Sequence, residues 1–429
     1  MPRVLLLLPS TTYRAEGFLE AAQRLKLAVT TASDRVALIA GPPLTDFLAL
    51  DFKDPESAAR TVKGFARDQP IDAVIGVDDT TTVVAAAISA ALGLPHNSVA
   101  SVEAARNKHR MRELLRQHGV PVPRFVRFSL DQDPVTLASS VTFPCVIKPL
   151  VLSSSCGVIR ANDAAEFVAA FHRVAALLAK LGVVPREILV EEFVPGREVA
   201  LEGLLTNGEL RVLALFDKPD PLEGPFFEET IYVTPSRLPA GTQAAITSCA
   251  VRAARALGLR EGPVHGELRV NERGPWVIEV AARSIGGRCS RALRFGAGMS
   301  LEELILRHAL RMDLPLLDLQ RERRAAGVMM LPIPRAGILR EVRGEQEALQ
   351  VPGIEELTVT VGPGEALVPL PEGTRYLGFL IARGETSDAV EAALRNAHRR
   401  LEFVISDAAA VQPADPVQTP TPRGRVIRF

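Results

Sequence analysis

Two glutamates, Glu267 and Glu279, lie in two apolar runs separated by the polar break Glu272-Arg273-Gly274. A three-residue hairpin turn at that break sets them opposite each other, because side chains two apart share a strand face. Opposed like charges cost a few tenths to ~1 kcal/mol. A shared divalent cation removes that cost, and Mg²⁺ is commonly held by one or two carboxylates together with substrate phosphates. Surface pairing with Arg269, Arg273 or Arg283 is the competing reading. On the same spacing, His265 and Arg269 share the face of Glu267, while Ala281 and Arg283 continue that of Glu279.

Other residues suit phosphate. Lys148 ends the apolar run from Pro144, and Ser153, Ser154, Ser155 and Gly157 follow closely. Small residues let backbone N–H groups approach phosphate oxygens, and a lysine adds a point charge. No GxxxxGK[ST] pattern is present, so this is not a P-loop. Lys108 opens an amphipathic stretch and, taken alone, reads as a solvated surface lysine. Glu191 and Glu192 end another apolar run, and Val194 and Glu198 follow. A carboxylate at a strand end can accept an amino group, and a bidentate acceptor suits two hydroxyls. Taken singly, these are ordinary exposed acids. Glu228 or Glu229 can hold an amino group, or be solvated loop acids.

Elements must position these groups. Val4 to Leu8 and Ala73 to Val77 read as strands; Gly17 to Leu27 and Thr82 to Leu92 read as helices, the latter ending at Gly93. The alternation implies an α/β region over residues 1–97 with a largely parallel sheet. Asp78 and Asp79 fall where strand passes to helix, a place for a helix cap or a ligand. Residues 98–313 mix helices and strands in an α+β pattern, 314–406 have strand-like stretches and a last helix from Ser387 to Arg400, and 407–429 read as a flexible tail.

The 429 residues hold roughly two to four domains. Lysine plus arginine equals aspartate plus glutamate, 50 of each. The zero balance removes the global basic field expected of many nucleic-acid binders. The apolar start is too short to span a membrane. Four cysteines without a CxxC pair imply a reduced, cytoplasmic protein.

The order of the parts is more specific than any one of them. Lys108, Lys148 with its small loop, Glu191-Glu192-Phe193-Val194 with Glu198, then Glu267 and Glu279 with Arg283, resembles the ATP-grasp superfamily over about Ser98 to Asp313. The resemblance implies an ATP-grasp fold with an N-terminal parallel α/β domain and a C-terminal ligase-type domain. It implies that Lys108 and Lys148 contact nucleotide phosphates under the loop Ser153 to Val158. Glu191, Glu192 and Val194 then bind adenine, Glu198 binds ribose, and Glu267 and Glu279 hold Mg²⁺, with Mn²⁺ as an alternative ion. Many members carry Asn two residues after the second metal-binding Glu; Ala281 stands there, which removes one ligand of a second ion.

Val77-Asp78-Asp79, Leu92-Gly93-Leu94-Pro95 and Arg283-Ser284-Ile285-Gly286-Gly287 are similar to the L-amino acid ligase branch, as are the C-terminal segments Gly344 to Ala348, Val351 to Gly353, Gly362 to Gly364 and Leu377 to Leu380. The branch implies carboxylate activation as an acyl phosphate and capture by an amine, with a dipeptide as product. Arg283, with the Gly286 and Gly287 backbone, then holds the carboxylate and the later oxyanion, Lys148 assists phosphoryl transfer, and Glu228 and His265 reach substrate. The partners implied are amino-acid carboxylate and amine substrates, with no nucleic acid and no membrane; a homodimer is left open. Carboxylase-like and nucleotide-biosynthetic relatives share the nucleotide site, and a non-catalytic ATP-binding module is a third reading. No biotin-bearing Met-Lys-Met segment is present.

Overall fold

The computed structural model describes residues 1–10, 12–35, 46–296, 298–315, 319–407 and, as backbone, 425–428. The N-terminal strands Asp46–Ala49, Ala28–Ser33, Arg3–Leu7 and Ala73–Gly76 lie side by side in that order, all parallel. Parallel neighbours need crossovers. Helices Ala15–Arg24 and Pro55–Phe65 supply two of them. Val4 to Leu7 are all buried, as in a strand covered on both faces. The next helix, Asp79–Leu92, ends at Gly93 with φ +70°, the left-handed C-cap that the sequence indicates.

A small antiparallel sheet carries Lys148 and Glu191. Its order is Phe125–Ser129, Glu187–Glu192, Cys145–Pro149, Ile159–Ala161. Helix Ala164–Lys180 covers one face. Its Phe167, Phe171, Val174 and Leu178 recur at helical spacing and pack with Ile147, Ile188 and Val190. The Asp163 side chain accepts from the Glu166 N–H at 2.9 Å, a cap worth about 1 kcal/mol.

The other wall belongs to a nine-stranded sheet. It begins with Gly274–Ala281, Gly262–Asn271, Arg197–Thr206 and Glu209–Asp217, and continues through Ile231–Thr234 into Ala325–Leu331, Gly378–Gly384, Ile354–Val359 and Arg425–Arg428. Every pairing in it is antiparallel. The expected division at 313/314 therefore separates two stretches of chain whose strands, Ile231–Thr234 and Ala325–Leu331, pair directly. Most of the expected flexible tail, 408–424 and residue 429, lies outside the described residues. Within it, Arg425–Arg428 forms a strand against Ile354–Val359, which corrects the expectation for those four residues.

The hairpin expectation needs a correction in its turn. Asn271 pairs with Gly274, so the turn is the two residues Glu272-Arg273. That register alone would set Glu267 against Ile278 and turn Glu279 to the other face. A one-residue bulge at Ile278 restores the opposition of Glu267 and Glu279.

Candidate active site

A cavity of about 1610 Å³ lies between the two walls and is lined by all three parts of the chain. Lys108, Lys148, Ser153, Ser154, Ser155, Glu191, Glu192, Val194, Glu198, His265, Glu267, Glu279, Arg283, Gly286 and Gly287 all face it. The chain thus brings together residues 179 positions apart, from Lys108 to Gly287. Two expected residues do not line it. Glu228 is absent from the lining while its neighbour Glu229 is present, and Gly157 lies behind its loop.

On the small-sheet wall, one acid meets two cations. Glu191 is 2% exposed; its carboxylate accepts from Arg112 Nε and, at 2.7 Å, from Lys148 Nζ. Burial pushes this carboxyl up, but the Arg112 and Lys148 charges outweigh it and hold it at about 2. Arg112 is fully buried and also donates to the Ile278 carbonyl at 2.6 Å, so the bulge residue anchors it. Lys108 is buried, against the surface reading. Asn107 ends one helix and caps the next, its side chain accepting from the Arg110 N–H at 3.1 Å. Lys108 is thereby fixed as the first residue of its helix, where the dipole disfavours a cation by a few tenths of a kcal/mol. Glu279 at 3.5 Å and the Leu152 carbonyl at 2.7 Å offset this.

The serine loop is held in a defined turn. Ser154 and Ser155 have φ of +56° and +54°, left-handed conformations that cost such residues of order 1–2 kcal/mol each. The N–H groups of Cys156, Gly157 and Val158 donate to the carbonyls of Ser153, Pro371 and Ser155. Those donors are engaged here. Gly157, with φ +72°, is required because a Cβ would stand 2.7 Å from Pro149 Cγ.

The large-sheet wall reverses the balance. Lys218 Nζ stands 2.8 Å from Glu198, 2.5 Å from Glu229 and 2.9 Å from Glu267. Burial presses this ammonium down, yet the three acids raise it well above its ordinary value. Glu198 and Glu267 have further partners in Arg269 and His265. Burial lifts Glu229 to about 7, against the pull of Lys218 and with the push of Glu267. Burial acts on Glu267 in the same direction, but Lys218 and His265 hold it well below the carboxylate range. Glu198 also accepts from Arg269 Nε at 2.9 Å. His265 is buried, with Nδ1 3.6 Å from Glu202 and Nε2 3.6 Å from Glu267, and it pairs in register with Ala281.

Carboxylate oxygens of Glu198, Glu229 and Glu267 lie within 4.8 Å of one another, an all-oxygen set of the kind that holds Mg²⁺, but Lys218 Nζ already contacts all three, so a divalent ion there must share or displace it. This grouping differs from the expected pair: Glu279 opposes Glu267 in register, while its carboxylate is turned to Lys108.

The third face comes from the N-terminal part. Arg283 Nε and Nη2 both lie 2.9 Å from Asp79 Oδ2, and Nη1 donates to the Ser284 carbonyl at 3.0 Å. Burial disfavours the guanidinium charge, but Asp79 more than reverses this and raises it. Asp78 meets Arg14 at 3.3 Å, so both acids tie to charged neighbours as well as beginning a helix. The Gly287 N–H donates to the Tyr13 hydroxyl at 2.6 Å. Arg283 and the Gly287 N–H, both expected to hold a carboxylate, are therefore already paired.

Residues 141–292 match the ATP-grasp domain model, 329–406 match L-amino acid ligase C-terminal domain 2, and 19–96 match the ATP-grasp N-terminal domain. The fold is shared with an L-amino acid ligase from Bacillus licheniformis: 27% identity, TM-score 0.80, covering 95% of this chain and 99% of that one. This chain belongs to the ATP-grasp superfamily, in its L-amino acid ligase branch. Alanine–anticapsin ligase from Bacillus subtilis (strain 168) is 28% identical over 234 residues, half of this chain and 49% of that protein. This chain thus matches only about half the length of that ligase. Dapdiamide A synthase from Enterobacter agglomerans is 27% identical over 304 residues, 69% of this chain and 71% of that one. As an ATP-grasp enzyme related to these ligases, the chain has the architecture of a carboxylate–amine ligase.

Sequence reasoning missed Arg14, which lines the cavity, and Lys218 and Arg112, which stand behind its walls and pair with lining acids. Lys218 had a signal, since it follows the apolar strand Glu209–Asp217 much as Lys148 ends its own. Arg112 had none, because its helix reads as amphipathic and solvated. Among the described residues, no helix is long and apolar enough to cross a membrane. All four cysteines are buried and free.

Proposed function

We propose that the protein is an ATP-dependent L-amino acid ligase that joins two amino acids, or an amino acid and a related amine, into a dipeptide. The observation that carries the reading is the opposed charge of the two walls. Lys108 and Lys148 face Glu198, Glu229 and Glu267 across one cavity, with Arg283 at its third side. Cations on one wall neutralise phosphate oxygens; acids on the other hold divalent metal. Phosphoryl transfer needs little beyond such positioning and electrostatics.

In this reading Lys108 and Lys148 bind nucleotide phosphates, Glu191 and the Glu192–Val194 backbone bind adenine, and Glu198 binds ribose. Glu267 and Glu279 hold Mg²⁺, and the closeness of Glu229 to Glu267 supports Glu229 as a further ligand. The metal, when bound, neutralises charge on the transferring γ-phosphoryl group. Lys218 supplies positive charge within that acidic group. Arg283 and the Gly286-Gly287 backbone orient the substrate carboxylate and stabilise the later oxyanion. Asp79 and Tyr13 keep those donors paired until a substrate carboxylate takes their place. The carboxylate attacks the γ-phosphorus and releases ADP. An amine then attacks the acyl carbon and releases phosphate, while His265 and Glu229 line the same space.

The test is ATP consumption against a panel of amino-acid pairs, following ADP, phosphate and dipeptide together. Coupled appearance of all three supports the reading. ADP and phosphate with a product other than a dipeptide moves the protein to another carboxylate–amine ligation, and no coupled product from any pair removes the ligase reading.

A further inference from the structure

Among the described residues, the small sheet and its helix meet two segments from the later part of the chain, 223–226 and 369–375. On one side, strand Ile159–Ala161 leans on the segment 223–226. Ile159 bridges Phe226, the Arg160 N–H donates to the Pro225 carbonyl at 2.8 Å, and Arg160 Nη1 donates to the Glu223 carbonyl at 2.7 Å. On the other side stands a turn of the C-terminal part, residues 369–375. The Gly157 N–H donates to the Pro371 carbonyl at 2.8 Å. Arg173, on helix Ala164–Lys180, donates to both carboxylate oxygens of Glu372, at 2.5 Å from Nε and 2.9 Å from Nη2. The same guanidinium lies 5.0 Å from the Phe226 ring centroid, so it joins the two attachments.

The turn is built to hold that position. The Gly373 N–H donates to the Pro369 carbonyl at 2.9 Å, and a Cβ on Gly373 would stand 1.9 Å from the Val368 carbonyl oxygen. No larger residue fits without moving the turn. Thr374 and Arg375, the next two residues, line the cavity. One short segment therefore touches the cavity, the serine loop and the covering helix.

From this geometry we propose that Arg173 and Glu372 form a clasp that holds the small sheet and its serine loop closed over bound nucleotide, anchored on the C-terminal part. Both are positioning residues: they act through Gly157 and the loop Ser153 to Val158, and neither lines the cavity. The cavity is a cleft between two walls, so movement of the covering wall sets how freely nucleotide leaves, and closing walls limit loss of reactive intermediates to water. The pair is bidentate, the geometry in which a partly exposed ion pair has a measurable effect. The inference rests on the ATP-binding part of the reading above and not on the choice of substrates.

The experiment measures release of a fluorescent, non-hydrolysable ATP analogue from the full chain with Mg²⁺. The variants are Arg173→Ala, Glu372→Ala and the exchanged pair Arg173→Glu with Glu372→Arg. Each single variant is expected to release the analogue about two- to fivefold faster, the range open to a partly exposed pair, with an unchanged melting profile. The exchanged pair is expected to recover most of the slow release. Higher salt should speed release more from the parent than from the alanine variants, since only the parent has the clasp to screen in addition to the phosphate contacts. Release unchanged in both single variants, or an exchanged pair as fast as either single, overturns the clasp. An amino-acid panel run alongside keeps the two readings apart. Faster release with no coupled product in any variant, parent included, retains the clasp and removes the ligase assignment.

Discussion

The two walls of the cavity solve opposite electrostatic problems. On the small sheet, Arg112 and Lys148 surround one acid, Glu191. On the large sheet, Glu198, Glu229 and Glu267 surround one lysine, Lys218. The first group carries surplus positive charge and its acid is held at about 2; in the second, Lys218 and Arg269 lie among three acids, and one of these rises to about 7. Buried charge is costly unless paired. The surplus on the first wall is therefore positioned for an outside anion, and the acids of the second offer oxygen ligands to a cation that joins or displaces Lys218.

The comparison can be broken most severely at Glu191. Glu191→Ala strands Arg112 and Lys148 and is expected to cost about 3–5 kcal/mol of stability, read from denaturant unfolding. A loss below about 1 kcal/mol, the value of an exposed pair, would mean that this wall is not a closed buried network. The pH dependence follows from the depressed carboxyl: its stabilisation is complete above pH 4.5 and lost as pH falls through about 2. Between pH 5 and 8 this acid contributes no slope.

Arg283→Ala should lower kcat by about 10²–10³ if the guanidinium stabilises the oxyanion. Raised KM with intact kcat would instead assign it to carboxylate binding, and unimpaired turnover would remove it from the mechanism. The opposite wall is tested at Glu229. Its carboxyl is raised, so its contribution to stability is present below pH 4.5 and lost as pH rises through about 7. Glu229→Gln in metal-free buffer should therefore gain stability relative to the parent between pH 5 and 8, by melting. A difference constant across that range would show that Glu229 is not raised by its surroundings. The smallest effect is expected from Ala281→Asn, which adds an oxygen ligand beside Glu279. It should lower the Mg²⁺ concentration for half-maximal ATP turnover several-fold, and an unchanged requirement would show that no ion uses that position.

Much of this arrangement was legible because period-two and helical patterns locate strands and helices independently of their partners. The strand ends carrying Lys148, Glu191 and Glu198 lie where the apolar runs stop. The Glu267–Glu279 opposition was legible for a reason that needs amending. The turn is one residue shorter than expected and the bulge at Ile278 compensates, and such a bulge leaves no mark in a simple alternation. What the sequence hid were partners chosen by tertiary packing. Arg112 reads as a solvated arginine until the Ile278 carbonyl and Glu191 are brought to it. Which of Glu228 and Glu229 faces inward depends on the register of the loop before Ile231–Thr234, and no periodicity specifies that.

The unbroken nine-stranded sheet has a practical consequence for anyone dividing this protein into parts. A fragment stopped at residue 313 would strip the neighbour from Ile231–Thr234, four buried residues whose backbone pairs with Ala325–Leu331. The exposed edge would be apolar and open to pairing with another chain, the usual route to aggregation. Expression of the ATP-binding portion alone is therefore expected to give insoluble material, and a dissection that respects the sheet must carry the strands as far as Arg425–Arg428.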